Sequence, residues 1–207
     1  QIIRVVMEKF KVKIGIHTHN DCGMAVANSI MAVEAGVTHV QGTYTGFGER
    51  CGNANLSTII PNLQLKRNYL CIPDDQMVNL TYTARKIAEI ANISLNKRDP
   101  YVGNSAFAHK GGMHIDGVSK AASSFEHIDP GLVGNKRRFL MSEVAGRKTI
   151  VEKIKEINPT IDKNSPEAEQ IIQRIKEMEH QGYQFEGAES TFELIVRKQL
   201  GKYKPFF

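Results

Sequence analysis

Between Val12 and His19 the side chains alternate. Val12, Ile14 and Ile16 fall on one face of an extended chain, and Gly15, His17 and His19 fall on the other. This pattern predicts a strand over residues 12–18. The period then lengthens to that of a helix, with Val26, Ile30 and Val33 on one stripe and Asn20 or Asp21 placed to cap it. Gly36 suits the position just past that helix. A second strand is predicted over 39–45, followed by a glycine-rich loop over 46–53. A helix comes next, with Leu56, Ile59, Ile60 and Leu63 at i, i+3, i+4 and i+7. Pro61 is expected to kink or break it. Together these elements form a β-α-β-α unit, the building block of a parallel sheet or barrel.

The rest of the chain reads as helical. From Asp74, which can cap, a long helix is expected to about Ala91, with Leu80, Ala84, Ile87 and Ala91 facing inward. Residues 94–126 are rich in glycine and small polar side chains and are expected to be a long loop, functional or disordered. A helix opening at Ser142 would carry Ile150, Val151, Ile154 and Ile157 along one side. Ser165-Pro166-Glu167 is a strong start signal, with proline at the first helical position. It leads into Ile171, Ile172, Ile175 and Met178 and stops at Gly182. A last helix is expected from about Ala188 to Leu200, ending at Gly201. At the other end, Gln1-Ile2-Ile3-Arg4-Val5-Val6 reads as the middle of an amphipathic helix, with neither an initiator Met nor a signal-peptide pattern. The chain is therefore expected to be a fragment.

Composition narrows the class. With 207 residues, 41% of them hydrophobic and 24% charged, the chain has the make-up of an ordinary soluble globular protein. No apolar run approaches the ~20 residues that span a bilayer, so no membrane partner is expected. Three cysteines without Cys-x-x-Cys spacing argue against a disulfide framework and suit a reducing cytoplasm. The net charge of +5 is dispersed apart from Lys136-Arg137-Arg138, which reads as a solvated face. No nucleic-acid-binding pattern accompanies it, so no nucleic-acid partner is expected.

Two clusters carry candidate chemistry. His17 and His19, one pleat apart, converge just beyond the carboxyl end of their strand, where parallel α/β folds place ligands. A divalent metal is the sharper reading, and two satisfied loop histidines the plainer one. Cys22 can join the pair in a structural zinc site if Cys51 or His39 supplies a fourth ligand. The glycine loop misses G-x-G-x-x-G, since position 51 is Cys. It sets Asn53 on the strand beside the histidines, able either to reach a metal or merely to cap the following helix. In the second cluster, His114 and Asp116 make either a general base with its orienting carboxylate or an inert surface pair.

These residues carry a family resemblance. His17-Thr18-His19-Asn20-Asp21 and Gly46-Phe47-Gly48-Glu49-Arg50-Cys51-Gly52-Asn53-Ala54-Asn55-Leu56 resemble the last two strand ends of the α-isopropylmalate, homocitrate and citramalate synthase family. Ala106-Phe107-Ala108-His109-Lys110-Gly111-Gly112-Met113-His114 and Glu126-His127-Ile128-Asp129-Pro130 resemble the subdomain after its barrel. Ile59-Ile60-Pro61-Asn62-Leu63-Gln64-Leu65-Lys66 and Gln181-Gly182-Tyr183-Gln184-Phe185-Glu186-Gly187-Ala188-Glu189 are similar to the citramalate-synthase type. The resemblance covers essentially the whole chain.

The resemblance implies an α/β fold in which residues 1–66 are the last two strand-helix units of a TIM (β/α)8 barrel. Mainly helical subdomains would follow over 67–138 and 139–207, making this an incomplete chain. It implies a Claisen-type condensation of acetyl-CoA with a 2-oxo acid, then hydrolysis of the thioester. The expected product is (R)-citramalate from pyruvate, in branched-chain amino-acid biosynthesis. An α-isopropylmalate or homocitrate synthase is the alternative, and an inactive helical dimerisation or linker fragment is another. By resemblance His17 and His19 are metal ligands, Asn53 completes or supports the site, and the metal is Mn²⁺, Mg²⁺ or Zn²⁺. His114 matches the family's catalytic histidine, delivered into the partner subunit's barrel of a homodimer, with Asp116 beside it. The position before Glu126 is commonly a Tyr with a proposed catalytic role, and here it is Phe125.

Overall fold

The computed structural model describes residues 1–110, 112–140, 147–162, 164–185 and 187–205. The chain divides into two compact units. One comprises Gln1–Phe107 with Asp129–Lys136, the other Ala108–Ile128 with Arg137–Phe207. The segment 67–138 is thus shared between them.

The first unit begins with helix α1, Ile2–Lys9, and strand β1, Gly15–His17. Helix α2, Ala25–Glu34, crosses back to strand β2, His39–Gln41, which runs parallel to β1. A parallel pair needs such a crossover. Both strands are shorter than the alternation predicts. The chain beyond each one bends to meet a later loop: Tyr44–Gly46 is a single 3-10 turn, and Thr43 makes only an isolated bridge to Asn55. Helix α3, Leu56–Arg67, continues through Pro61 without breaking. The ring costs one intrahelical bond, yet Pro61 is buried beside Ile59 and Leu63, so packing holds the helix together. The core of this layer joins Ala25 and Ile30 of α2 to Ala54, Ile59 and Leu63.

A 3-10 turn over Asp74–Asn79 precedes helix α4, Leu80–Ile90. The tighter first turn shortens the long helix expected from Asp74. Leu80, Ala84 and Ala88 are buried, while Ala91 is the exposed C-cap residue. Residues 129–136 are stitched to this region. Thr81 Oγ1 donates to Val133 O (2.6 Å), and Asn135 Nδ2 donates to both Tyr101 O (2.8 Å) and Gly103 O (3.0 Å).

In the second unit, much of the expected long loop is regular structure. Strand β3, Ala108–Lys110, pairs in parallel with β4, Arg138–Leu140, and between them lies helix α5, Gly112–Lys120. Three-residue strands are too short to show alternation, and Gly112 and Gly117 lower the helix propensity of α5. Three helices close the unit: α6, Arg147–Ile157; α7, Pro166–His180; and α8, Glu189–Gln199. Ser142, the expected opener of α6, lies outside the described residues. Ser165 does cap α7, accepting from Ala168 N–H, with Pro166 at its first position. Ile150, Ile154, Ile171, Ile175, Phe192 and Val196 pack together as the core of the three. Among the described residues no helix is long and apolar enough to cross a membrane.

Ile171 is fully buried at the centre of this core. Its truncation removes a branched side chain that neighbouring helices cannot collapse to replace. Ile171→Ala is expected to cost about 2–5 kcal/mol, read as a lower urea midpoint for the second unit's unfolding transition at unchanged slope.

Candidate functional site

The ends of β1 and β2 are joined by the chain that follows them. Asn20 N–H donates to Gly52 O (2.8 Å), and Ala54 N–H donates to Thr18 O (3.0 Å). On the other side, Thr43 N–H donates to Ala54 O (3.0 Å) and Leu56 N–H to Thr43 O (2.9 Å). Residues 53–55 therefore return between the two strand ends, and Asn53 bridges directly to His19 in antiparallel register.

Three polar side chains come from these adjoining segments. The rings of His17 and His19 lie edge to face, with centroids 5.1 Å apart, and both residues are exposed. Asn53 Nδ2 donates to Phe47 O at 3.0 Å, which fixes the amide plane. Its Oδ1 is buried and, among the described residues, accepts no hydrogen bond. An orphaned buried carbonyl costs about 1–3 kcal/mol and needs a reason. The glycines explain the geometry. Gly52 has φ +86° with its Cα against Gly46 O, and Gly48 leaves no space for a Cβ beside the Asn53 amide.

The plainer reading of Asn53 as a helix cap does not hold. The cap of α3 is Asn55, whose Oδ1 accepts from Ser57 N–H at 3.0 Å. Asn20, not Asp21, serves α2, its Oδ1 accepting from Ala25 N–H at 3.2 Å. Asp21 instead pairs with Arg50 at 2.9 Å, an exposed ion pair across the same seam. The four-ligand zinc alternative is likewise not assembled. Cys22 and Cys51 are free and exposed, and the parallel register puts His39 opposite Gly15, at the far end of the strand from His19. Among the described residues no three His, Cys, Asp or Glu side chains gather tightly enough for a metal. The convergent set is two imidazoles and one amide oxygen, and it suits a divalent cation that draws further ligands from elsewhere.

Thr45 stands at the edge of this loop with φ 58°. That region is costly for a β-branched residue, and no local pattern around Thr45 signals it.

The second cluster lies in the other unit. His114 and Asp116 both sit on α5, and side chains two apart on a helix do not face each other. The Asp116 carboxylate pairs with Lys120 one turn on, at 2.7 Å. What lies against His114 is Phe125, ring centroids 5.2 Å apart at 47°. Phe125 rests over Gly117, where a Cβ would collide with the ring.

Next to Phe125 is a group that sequence reasoning missed. Glu126, its side chain 3% exposed, accepts two hydrogen bonds from Arg137, Nε to Oε1 at 2.7 Å and Nη2 to Oε2 at 2.6 Å. His109 Nε2 also meets Oε1, at 2.9 Å. The doubly bonded guanidinium holds the Glu126 carboxyl below the usual carboxylate range. Burial opposes this, and His109 adds to the lowering. Arg137 stood in the sequence as one of three cations on a solvated face.

Comparison with known proteins finds two family matches, whose boundary does not coincide with that of the two compact units. Residues 1–93 match the HMGL-like family, and residues 101–183 match the homocitrate synthase post-HMGL domain-like family. The (R)-citramalate synthase of Geobacter sulfurreducens is 51% identical over 207 residues, covering 100% of this chain and 39% of that protein. That of Synechocystis sp. is 51% identical over 195 residues, 94% of this chain and 36% of the relative. That of Aquifex aeolicus is 51% identical over 208 residues, 100% and 39%. Over residues 1–93 the chain belongs to the HMGL-like family. It spans about two fifths of the length of the curated relatives it matches. The HMGL-like stretch holds His17, His19 and Asn53, and the post-HMGL stretch holds His114, Asp116 and Phe125.

The Glu126 cluster has a pH signature. A carboxyl whose folded pKa lies below its unfolded value, ~4.3, stabilises fully above that value and loses its contribution as pH falls through the folded one. The second unit's thermal midpoint is expected to drop with acid below about pH 4. Glu126→Gln should flatten that drop while lowering the midpoint at neutral pH.

Proposed function

We propose that this chain is part of a metal-dependent acyltransferase that condenses acetyl-CoA with a 2-oxo acid, pyruvate giving (R)-citramalate. In this reading residues 1–66 are the last two strand-helix units of a (β/α)8 barrel. The observation that carries it is the buried, unpartnered Oδ1 of Asn53 beside the His17 and His19 rings at the carboxyl ends of parallel strands. That is where barrels keep their chemistry. The 51% identity to (R)-citramalate synthases over the whole chain supports the choice of product.

His17, His19 and Asn53 would hold Mn²⁺, Mg²⁺ or Zn²⁺. When bound, the ion supplies Lewis-acid polarisation of the 2-oxo acid's carbonyl. The two imidazoles must be neutral to offer lone pairs, and the Phe47 carbonyl keeps the Asn53 amide turned so that its oxygen points free. His114 is exposed on α5 and serves as proton acceptor from the acetyl methyl group, acting across a homodimer in the partner subunit's site. The carbon so exposed attacks the keto carbon, and water then cleaves the thioester to release CoA. Phe125 has no hydroxyl and so relays no proton. We place the reaction in the cytoplasm, within branched-chain amino-acid synthesis. The homocitrate-type match over 101–183 favours one second reading, the same condensation with a longer oxo acid.

The full-length enzyme, assayed for CoA release with pyruvate, 2-oxoisovalerate and 2-oxoglutarate, is expected to prefer pyruvate. His17→Ala should abolish Mn²⁺ binding by calorimetry and all turnover. Retained Mn²⁺ binding would overturn the metal site, and preference for another oxo acid would overturn the product.

Phe125→Tyr in the same enzyme should raise kcat. General acid-base assistance is worth ~10²- to 10⁴-fold at most, and a nearby water shrinks the gain. An unchanged or lower kcat at saturating pyruvate would mean that Phe125 acts by packing alone.

A further inference from the structure

Phe125 is 45% exposed, yet its ring lies against the exposed imidazole of His114. Solvent-exposed aromatic contacts are weak, about 0.5–1.5 kcal/mol, and do not by themselves hold a ring in one place. The neighbouring residue does. Glu126 is fixed at both carboxylate oxygens, by Arg137 just before β4 and by His109 on β3. Those strands are hydrogen-bonded to each other, with His109 opposite Phe139, and the His109 and Phe139 rings lie 6.3 Å apart. The backbone at Glu126 is also tied, its N–H donating to Ala122 O at 2.9 Å. Phe125 therefore leaves a fixed point, one residue from a buried carboxylate hydrogen-bonded at both oxygens. Its ring lands where Gly117 has removed the obstacle.

We propose that Glu126, clamped by Arg137 and His109, is a positioning residue that sets the Phe125 ring against His114 and so fixes the imidazole for proton transfer. Glu126, Arg137 and His109 act through Phe125 and touch no substrate. The clamp must be two-pronged. A carboxamide at 126 keeps the shape but cannot accept both guanidinium bonds, and a lysine at 137 offers a point charge where a planar fork was needed. This inference rests on the catalytic reading of His114, but its geometric half is separable from it.

The test uses the full-length enzyme with histidine labelled at Cε1, so that the NMR shift of His114 reports the aromatic ring beside it. Phe125→Leu assigns the ring's contribution. Glu126→Gln and Arg137→Lys should each move the His114 signal towards the Phe125→Leu position and lower kcat about tenfold or more, with KM for the oxo acid and Mn²⁺ affinity unchanged. Gly117→Ala approaches from the other side. It displaces the ring without touching the buried cluster, so it remains informative should Glu126→Gln fail to fold. It should shift the signal and lower kcat in the same way. A His114 signal unmoved by both Glu126→Gln and Gly117→Ala overturns the positioning role. A moved signal with unchanged kcat also overturns it, whereas the catalytic reading of His114 fails separately, if His114→Ala leaves kcat unchanged.

Discussion

The first unit depends on a seam of four backbone hydrogen bonds that carries residues 53–55 between the ends of β1 and β2. Without it, His17 would keep its partner Gln41 on β2, but His19, two residues beyond the strand, would have nothing opposite it. With it, Asn53 is held in register with His19, and the chain two residues later is already in place to start α3. The glycines are consequences of the seam rather than independent features. Gly52 adopts a left-handed backbone because its Cα faces Gly46 O, and Gly48 has no side chain because the Asn53 amide occupies that space. The Asp21–Arg50 ion pair spans the same seam but is exposed and contributes little to it.

The two units show how pairing divides buried polar groups by role. Each has a short parallel strand pair with a polar side chain beside it. In the second unit Glu126 is hydrogen-bonded at both oxygens by groups of the protein itself. In the first, Asn53 is satisfied at its nitrogen and, among the described residues, not at its oxygen. Its orientation is thus set by the protein while its acceptor is left open. A buried polar group left unsatisfied is kept only where something else offsets its cost. That contrast, rather than the mere presence of histidines, is what supports the proposed metal-binding reading of the first site.

The sequence made the first site's outline legible because its signals are local. Two histidines with a period of two must share a strand face, and the change to a helical period dates the turn. It could not separate Asn53 from Asn55. Both stand just ahead of α3, both are good caps, and only the seam shows that the second caps while the first faces His19. The same limit hid β3 and β4. Three-residue strands have no period to read, and their partners lie about 30 residues apart. Arg137 was hidden by its neighbours, since a run of three cations looks solvated until one is seen to close on Glu126. Asp116 stands near His114 along the chain, and on the helix its carboxylate also pairs with Lys120 one turn on.

Thr45 adds an argument that does not use the histidines. A β-branched residue at φ 58° costs about 1–2 kcal/mol, and such strain persists where surrounding structure over-determines it. Here the constraints are visible. Its N–H is held by Ser57 Oγ at 3.2 Å, its hydroxyl donates to Tyr44 O at 2.7 Å, and Thr43 Oγ1 donates to Phe47 O at 2.6 Å. Phe47 O is the acceptor that also orients the Asn53 amide. The strained turn thus places the carbonyl that aims Asn53. A relaxed, longer β2 would carry Thr45 onward as strand and move Phe47 away from the amide. The strain is the local cost of ending β2 early enough for its last turn to support the site.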